Sequence, residues 1–317
     1  MTIKTIALPT GETVPALGQG TWYMGDSGHK RAAEVRALQL GLDLGLTLID
    51  TAEMYADGGA EEVTGAAIKG RRDGAFIVSK VLPSHGSRTA VIGACEASLK
   101  RLGVDVIDLY YQHRVDPNVA IEETVGAMAE LVKAGKVKAL GLSEANPETI
   151  KRAHKTHPIA AVQSEYSLLY RKDAEETLAT TRALGISFVA YSPLGRSLLT
   201  GSVKQASDIP EGDGRGRHPR FSGDNLARNL SLVNTIEAMA KAKGCTPGQV
   251  ALAWLLAQGT DIVPIPGTKQ AARVDQNLAA LDVTLSAAEV AQLSAALPPG
   301  AAAGTRYAEA QMKAVYL

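Results

Sequence analysis

The sequence predicts a (β/α)8 barrel with a short N-terminal β-hairpin and one additional C-terminal helix. Three observations carry that reading. Apolar runs of strand length alternate eight times with stretches of helical periodicity between about residues 16 and 279. The runs are apolar along their length, as strands of a parallel sheet covered on its outside are. No linker interrupts the alternation in 317 residues, so the chain reads as one domain, 1–317. Eight units match a barrel better than two doubly wound halves.

The elements follow in order. Residues 6–8 and 13–14 flank a P-T-G turn and form a small lid-like hairpin. The first barrel strand, 16–20, ends in glycines and is followed by Thr21, Trp22 and Tyr23. Its helix, 30–44, carries Val35, Leu38 and Leu42 at helical spacing and stops at Gly45. Strand 46–50 precedes helix 60–68, strand 76–80 helix 89–102, and strand 106–112 helix 121–134. Strand 137–143 precedes helix 147–154, where Pro147 suits the first turn. Strand 161–165 precedes helix 173–184, and strand 187–192 leads through a long loop to helix 232–243. Strand 262–266 and helix 271–279 complete the eighth unit. Residues 286–297 form the extra helix, and the Ala/Gly-rich tail from Pro298 is expected to drape over the barrel mouth.

Composition narrows the function classes. The 33 basic and 33 acidic residues cancel, so no general attraction for nucleic acid or an anionic membrane arises. No run approaches the roughly 18–20 apolar residues of a membrane span, and the N-terminus lacks a signal-peptide core. Cys95 and Cys245 lie in helix-like stretches far apart, which is no disulfide framework and fits a reducing cytoplasm.

The stretch L-T-L-I-D-T-A-E-M-Y organises the rest. It is a buried strand that ends on Asp50, with Tyr55 on the loop beyond. A carboxylate at the end of a buried strand needs a partner. Lys80 ends the next strand and His113 follows the one after, so an acid, a phenol, an ammonium and an imidazole share one end of three successive strands. Active sites of such barrels sit at that end. The bland alternative is a buried Asp50–Lys80 ion pair with two ordinary loop residues.

The segments G-Q-G-T-W-Y, L-I-D-T-A-E-M-Y, I-V-S-K, Y-Y-Q-H, G-L-S-E, A-Y-S-P-L-G-R and I-P-G-T-K-Q-A-A-R-V-D-Q-N resemble the aldo-keto reductase family. The resemblance runs from about residue 3 to 297. Up to about residue 100 it is to one bacterial branch, and from about Tyr111 to another, the pattern of a chimeric chain. It implies NADPH-dependent reduction of aldehydes or ketones to alcohols, with Asp50, Tyr55, Lys80 and His113 as the catalytic tetrad and no metal. Tyr55 would be the general acid, Lys80 would lower its pKa, Asp50 would hold Lys80, and His113 would orient the carbonyl. The small carbonyl substrate is the expected partner, and the protein is expected as a monomer or homodimer.

The same resemblance assigns a cofactor cradle. Thr21 lies beside the first strand end. Ser143 and Gln163 correspond to carboxamide-binding groups, and Tyr191 to the ring on which nicotinamide stacks. Ser192, Leu194, Gly195 and Arg196 fall where pyrophosphate is held. Thr268, Lys269 and Arg273 surround the adenosine 2′-phosphate, Gln276 and Asn277 read adenine, and Gly267 in the same cradle stands where many members have a lysine. Many members have asparagine after the serine, where this chain has Glu144, a group that cannot donate a hydrogen bond.

Several alternatives stay open. Trp22 and Tyr23 form either an apolar wall for the substrate or a packed plug. Lys269 and Arg273 are either phosphate ligands or surface charges on a helix. The segment E-G-D-G-R-G-R-H-P follows no strand and opens no helix, so it is no dinucleotide fingerprint. It reads as a flap over the cofactor or as a disordered loop. His154 and His157 lack a neighbouring acid or cysteine, and K-G-R-R at 69–72 reads as a solvated helix end. Two other functions compete with the reductase: a cofactor-binding regulatory subunit with slow turnover, and an aldolase using Lys80 as a Schiff base.

Overall fold

In the computed structural model, which describes residues 3–317, β1 (Thr5–Ala7) and β2 (Thr13–Pro15) form an antiparallel hairpin. Eight parallel strands follow: β3 (Gln19–Gly20), β4 (Leu48–Asp50), β5 (Phe76–Val81), β6 (Ile107–Gln112), β7 (Val137–Ser143), β8 (Ile159–Glu165), β9 (Ser187–Tyr191) and β10 (Ile262–Pro264). Each pairs with the next in sequence. The sheet closes into a barrel where Gly18 N–H donates to Pro264 O at 2.9 Å and Gly20 N–H to Pro266 O at 3.3 Å. The seam needs glycine. A Cβ on Gly18 would lie 2.6 Å from Leu48 Cδ2, and one on Gly20 would lie 2.8 Å from Ile265 O.

The hairpin plugs the end of the barrel opposite the strand C-termini. Ile6, Leu8 and Val14 pack there with Leu48, Phe76 and Leu109, burying the apolar side of each short strand. The expected helices stand around the sheet with ends shifted by a residue or two. Helix Pro147–Thr156 starts where Asn146 Oδ1 accepts from Thr149 N–H at 2.9 Å.

The seventh unit differs from expectation. Residues 232–243 belong to a longer helix, Gly223–Lys243, and a further helix, Pro247–Leu256, packs against β10. That second helix gave no periodic signal because almost every residue in it is buried, and a helix apolar all round lacks an amphipathic stripe. Cys95 is buried in helix Arg88–Leu102, whereas Cys245 lies just beyond the stop of Gly223–Lys243 at Gly244, and both are free thiols.

After helix Ala287–Ala296 the tail crosses the C-terminal end of the barrel, as its composition led us to expect. Asn146 N–H donates to Leu317 O, and Tyr316 N–H to Glu144 O, each at 2.8 Å. Among the described residues no helix is long and apolar enough to cross a membrane.

Candidate active site

The barrel register sets the four polar groups side by side. Asp50 ends β4 opposite Val78, and Lys80 stands two residues further along β5 opposite Tyr111. Lys80 Nζ donates to Asp50 Oδ1 at 2.5 Å, to Thr51 O at 2.9 Å and to Tyr55 OH at 3.2 Å. Asp50 Oδ2 accepts from Gln163 Nε2 at 2.8 Å. His113 stands edge-on to the Tyr55 ring with centroids 5.5 Å apart, and the Trp22 ring is tilted against it with centroids 5.1 Å apart. Asp50 and Lys80 are therefore more than an isolated ion pair.

Burial dominates the electrostatics. It pushes the Tyr55 phenol well above its usual range, the Asp50 carboxylate adds to this, and the Arg114 guanidinium opposes it. Burial also pulls Lys80 below its usual range, and the Asp50 carboxylate only partly offsets it. His113 is pushed well below its usual range by burial, then by the charges of Lys80 and Arg114. It is neutral at physiological pH.

A cavity of about 300 Å³ opens over this group, lined near the tetrad by Trp22, Tyr23, Asp50, Tyr55, His113 and Arg114. Trp22 and Tyr23, 37% and 44% exposed, line this cavity. Lys80 is fully buried, and its ammonium donates to three acceptors.

Half of the predicted cradle lines the cavity, and half does not. Thr21, Gln163, Tyr191, Ser192, Leu194, Arg196 and Gly267 line the cavity. Gly195, Arg196 and Ser197 have successive left-handed φ values of 55°, 54° and 80°, a backbone run suited to anions. Ser143 is 1% exposed and does not reach the cavity, because Arg114 Nη1 donates to its Oγ at 3.1 Å. Thr268, Lys269, Arg273, Gln276 and Asn277 lie beyond Gly267, off the main cavity. Lys269 Nζ sits 3.1 Å from the buried Glu34 carboxylate, and Arg273 is exposed with only Gln276 Oε1 at 3.4 Å. Thr268 and Asn277 share a small crevice with Gly18 and Pro266.

Four groups went unread in the sequence. Arg114, one residue past His113, follows the same strand-end logic and was legible by it. Arg306 and Tyr307 lie in the Ala/Gly-rich tail, where no periodicity marks them. Arg306 is fully buried and bidentate to Glu144 at 2.7 and 2.8 Å, and the Tyr307 hydroxyl lies 2.9 Å from that of Tyr191. Arg215, paired with Asp213, brings the segment at 211–219 to the cavity edge, where it forms 3-10 turns. A Cβ on Gly214 would lie 2.5 Å from the Tyr23 hydroxyl, so this segment rests against Tyr23.

Backbone strain gathers at the same end. Tyr23, Ala56, Asp57, Glu144, Ser192, Arg196 and Ser197 all have positive φ, and all follow strand C-termini. Elsewhere, His154 Nδ1 accepts from Ile159 N–H, and His157 Nδ1 lies 3.0 Å from Pro158 O. No cluster among the described residues has the make-up to hold a metal ion. Arg71 and Arg72 of K-G-R-R pair with Asp43 and Asp108.

The sequence profile of the Aldo/keto reductase family matches residues 16–298. The chain belongs to the aldo/keto reductase family. A probable aldo-keto reductase of Glycine max is 44% identical over 283 residues, covering 86% of this chain and 82% of that protein. An aldo/keto reductase from Klebsiella pneumoniae, solved in complex with NADP and acetate, is 37% identical with a TM-score of 0.79, covering 96% of this chain and 99% of that one. The glycerol dehydrogenase of Gluconobacter oxydans is 26% identical with a TM-score of 0.86, covering 95% of this chain and 98% of that one. This aldo/keto reductase thus shares its fold with these two solved structures over nearly their whole length.

Proposed function

We propose that this protein reduces aldehydes and ketones to alcohols with NADPH, Tyr55 delivering the proton. The observation that carries the reading is one chain of contacts: Gln163 to Asp50, Asp50 to Lys80, and Lys80 to a Tyr55 hydroxyl facing the cavity beside neutral His113. The left-handed run at 195–197 with Arg196, and the Tyr191 ring beside it, fit a dinucleotide. Arg196 and Ser192 would hold pyrophosphate, Tyr191 would carry the nicotinamide, and Thr268, Lys269 and Arg273 would surround the 2′-phosphate. When bound, NADPH supplies a hydride to the carbonyl carbon and leaves negative charge on the substrate oxygen.

The chain's own groups handle that charge. Tyr55 stays protonated at neutral pH because its pKa is high, and an alkoxide is basic enough to take its proton. The Lys80 N–H at 3.2 Å then supports the phenolate, and Asp50 keeps Lys80 in place. His113, being neutral, can donate an N–H to the carbonyl oxygen and orient it. Trp22 and Tyr23 favour small aromatic or aliphatic carbonyl compounds.

The test is to mix the protein with NADPH and a panel of reactive aldehydes and follow nicotinamide absorbance. Loss of absorbance that depends on Tyr55 supports the reductase. Tight NADPH binding with no oxidation by any aldehyde would replace it with a regulatory subunit, and borohydride trapping on Lys80 would replace it with an aldolase.

A further inference from the structure

The end of the cavity near Tyr191 presents a different polar group from the ones the sequence points to. Ser143 is covered, and Gln163 gives one of its two amide N–H groups to Asp50. Glu144 is buried, turned onto Arg306, and has no proton to donate at neutral pH. What faces the cavity there is Arg114, whose Cζ lies 5.9 Å from the Tyr191 ring centroid.

Arg114 has donors to spare, and its nearest charge partner, Glu144, is taken up by Arg306. Three arginines line the cavity. Arg215 is paired with Asp213 at 2.8 Å, and Arg196 lies 3.8 Å from Glu165. Arg114 makes no salt bridge within 4.0 Å among the described residues. Its Nη1 donates to His113 O at 2.6 Å and to Ser143 Oγ at 3.1 Å, while Nη2 has only a long contact, 3.5 Å, with Tyr307 OH. A guanidinium carries five N–H donors, and a half-buried cation without a carboxylate is costly unless an acceptor comes to it.

We propose that Arg114 contacts the cofactor, its free donors binding the carboxamide oxygen of the nicotinamide where Glu144 cannot. The assignment rests on the NADPH reading above. It has a second consequence. A fixed positive charge beside the ring disfavours the cationic, oxidised nicotinamide more than the neutral, reduced one, so Arg114 biases the protein towards NADPH over NADP+.

Fluorescence or calorimetric titration tests both parts. Arg114→Gln should raise the NADPH Kd about ten- to a hundred-fold and the NADP+ Kd less, so that the ratio of NADP+ Kd to NADPH Kd falls. The thionicotinamide analogue of NADPH, whose sulfur is a poor acceptor, should bind wild type more weakly than NADPH and bind Arg114→Gln about as well. Arg114→Lys keeps the charge without the planar fork, so it should restore the NADPH over NADP+ bias but not the discrimination against sulfur. Unchanged NADPH and thio-analogue affinities in Arg114→Gln would overturn the proposal. So would unchanged cofactor affinity combined with a raised KM for phenylglyoxylate but not for benzaldehyde, which would assign Arg114 to a substrate carboxylate. If Arg114→Gln does not fold, wild type binding the thio-analogue as tightly as NADPH overturns it alone. Wild type that binds neither NADPH nor NADP+ would instead defeat the cofactor reading itself.

Discussion

Glu144 and Arg306, 162 positions apart, form a bidentate ion pair at 2.7 and 2.8 Å with both side chains buried. Glu144 also accepts from Glu165 N–H at 3.0 Å, and the Arg306 guanidinium lies 4.1 Å over the Tyr170 ring. The pair clamps the tail onto the loop after β7, directly beside Ser143 and Tyr191. The tail is thus part of the site's framework.

Arg306→Met should leave a buried carboxylate without its cation, at a cost of about 3–5 kcal/mol. Urea unfolding measures it, and adding Glu144→Gln should recover part of the loss because the stranded charge is gone. Burial would raise the Glu144 pKa, but hydrogen bonds and charge from Arg306 outweigh it and hold the carboxyl below its usual range. A depressed folded pKa means this stability is fully present above the unfolded value and lost as pH falls through the folded one. The wild-type excess over the double variant should therefore shrink below about pH 4. A constant excess from pH 7 to pH 3 would contradict the ionised pair.

Tyr55→Phe removes the acidic proton and little else. NADPH affinity should stay nearly intact while kcat for aldehyde reduction falls by about 10² or more. Near wild-type turnover in this variant would remove Tyr55 as the acid.

His113 should tax stability at low pH. Burial, Lys80 and Arg114 depress its folded pKa, so between that value and about 6.5 the unfolded chain binds the extra proton. Stability should fall as pH drops below about 6.5, by up to about 1.4 kcal/mol per pH unit from this residue. His113→Asn should remove that slope, which unfolding curves between pH 7 and pH 5 would show. An equal slope in the variant would mean the imidazole titrates normally.

Arg273 and Lys269 should not contribute equally to cofactor choice. Lys269 is shared with Glu34 and Asp26, whereas Arg273 has no carboxylate within 4.0 Å among the described residues. Arg273→Ala should weaken NADPH about ten- to a hundred-fold and leave NADH almost unchanged. Titrations with both cofactors decide it. Equal weakening of both would detach Arg273 from the 2′-phosphate.

What the sequence determined by itself was the order of elements and the chemistry at the strand ends. The period of apolar residues is a local property, and it places Asp50, Lys80 and His113 at one end of neighbouring strands before any distance is known. Helix Pro247–Leu256 escaped because a segment buried on all sides has no period to read. The tertiary structure alone decided which charges meet. Glu144 turns away from the cavity onto Arg306, Lys80 gives its charge to Asp50 more than to Tyr55, and Arg114 covers Ser143. A charge pair depends on separations of 3–4 Å and on how much water has been removed. Both are set only when the barrel has closed and the tail has crossed its mouth.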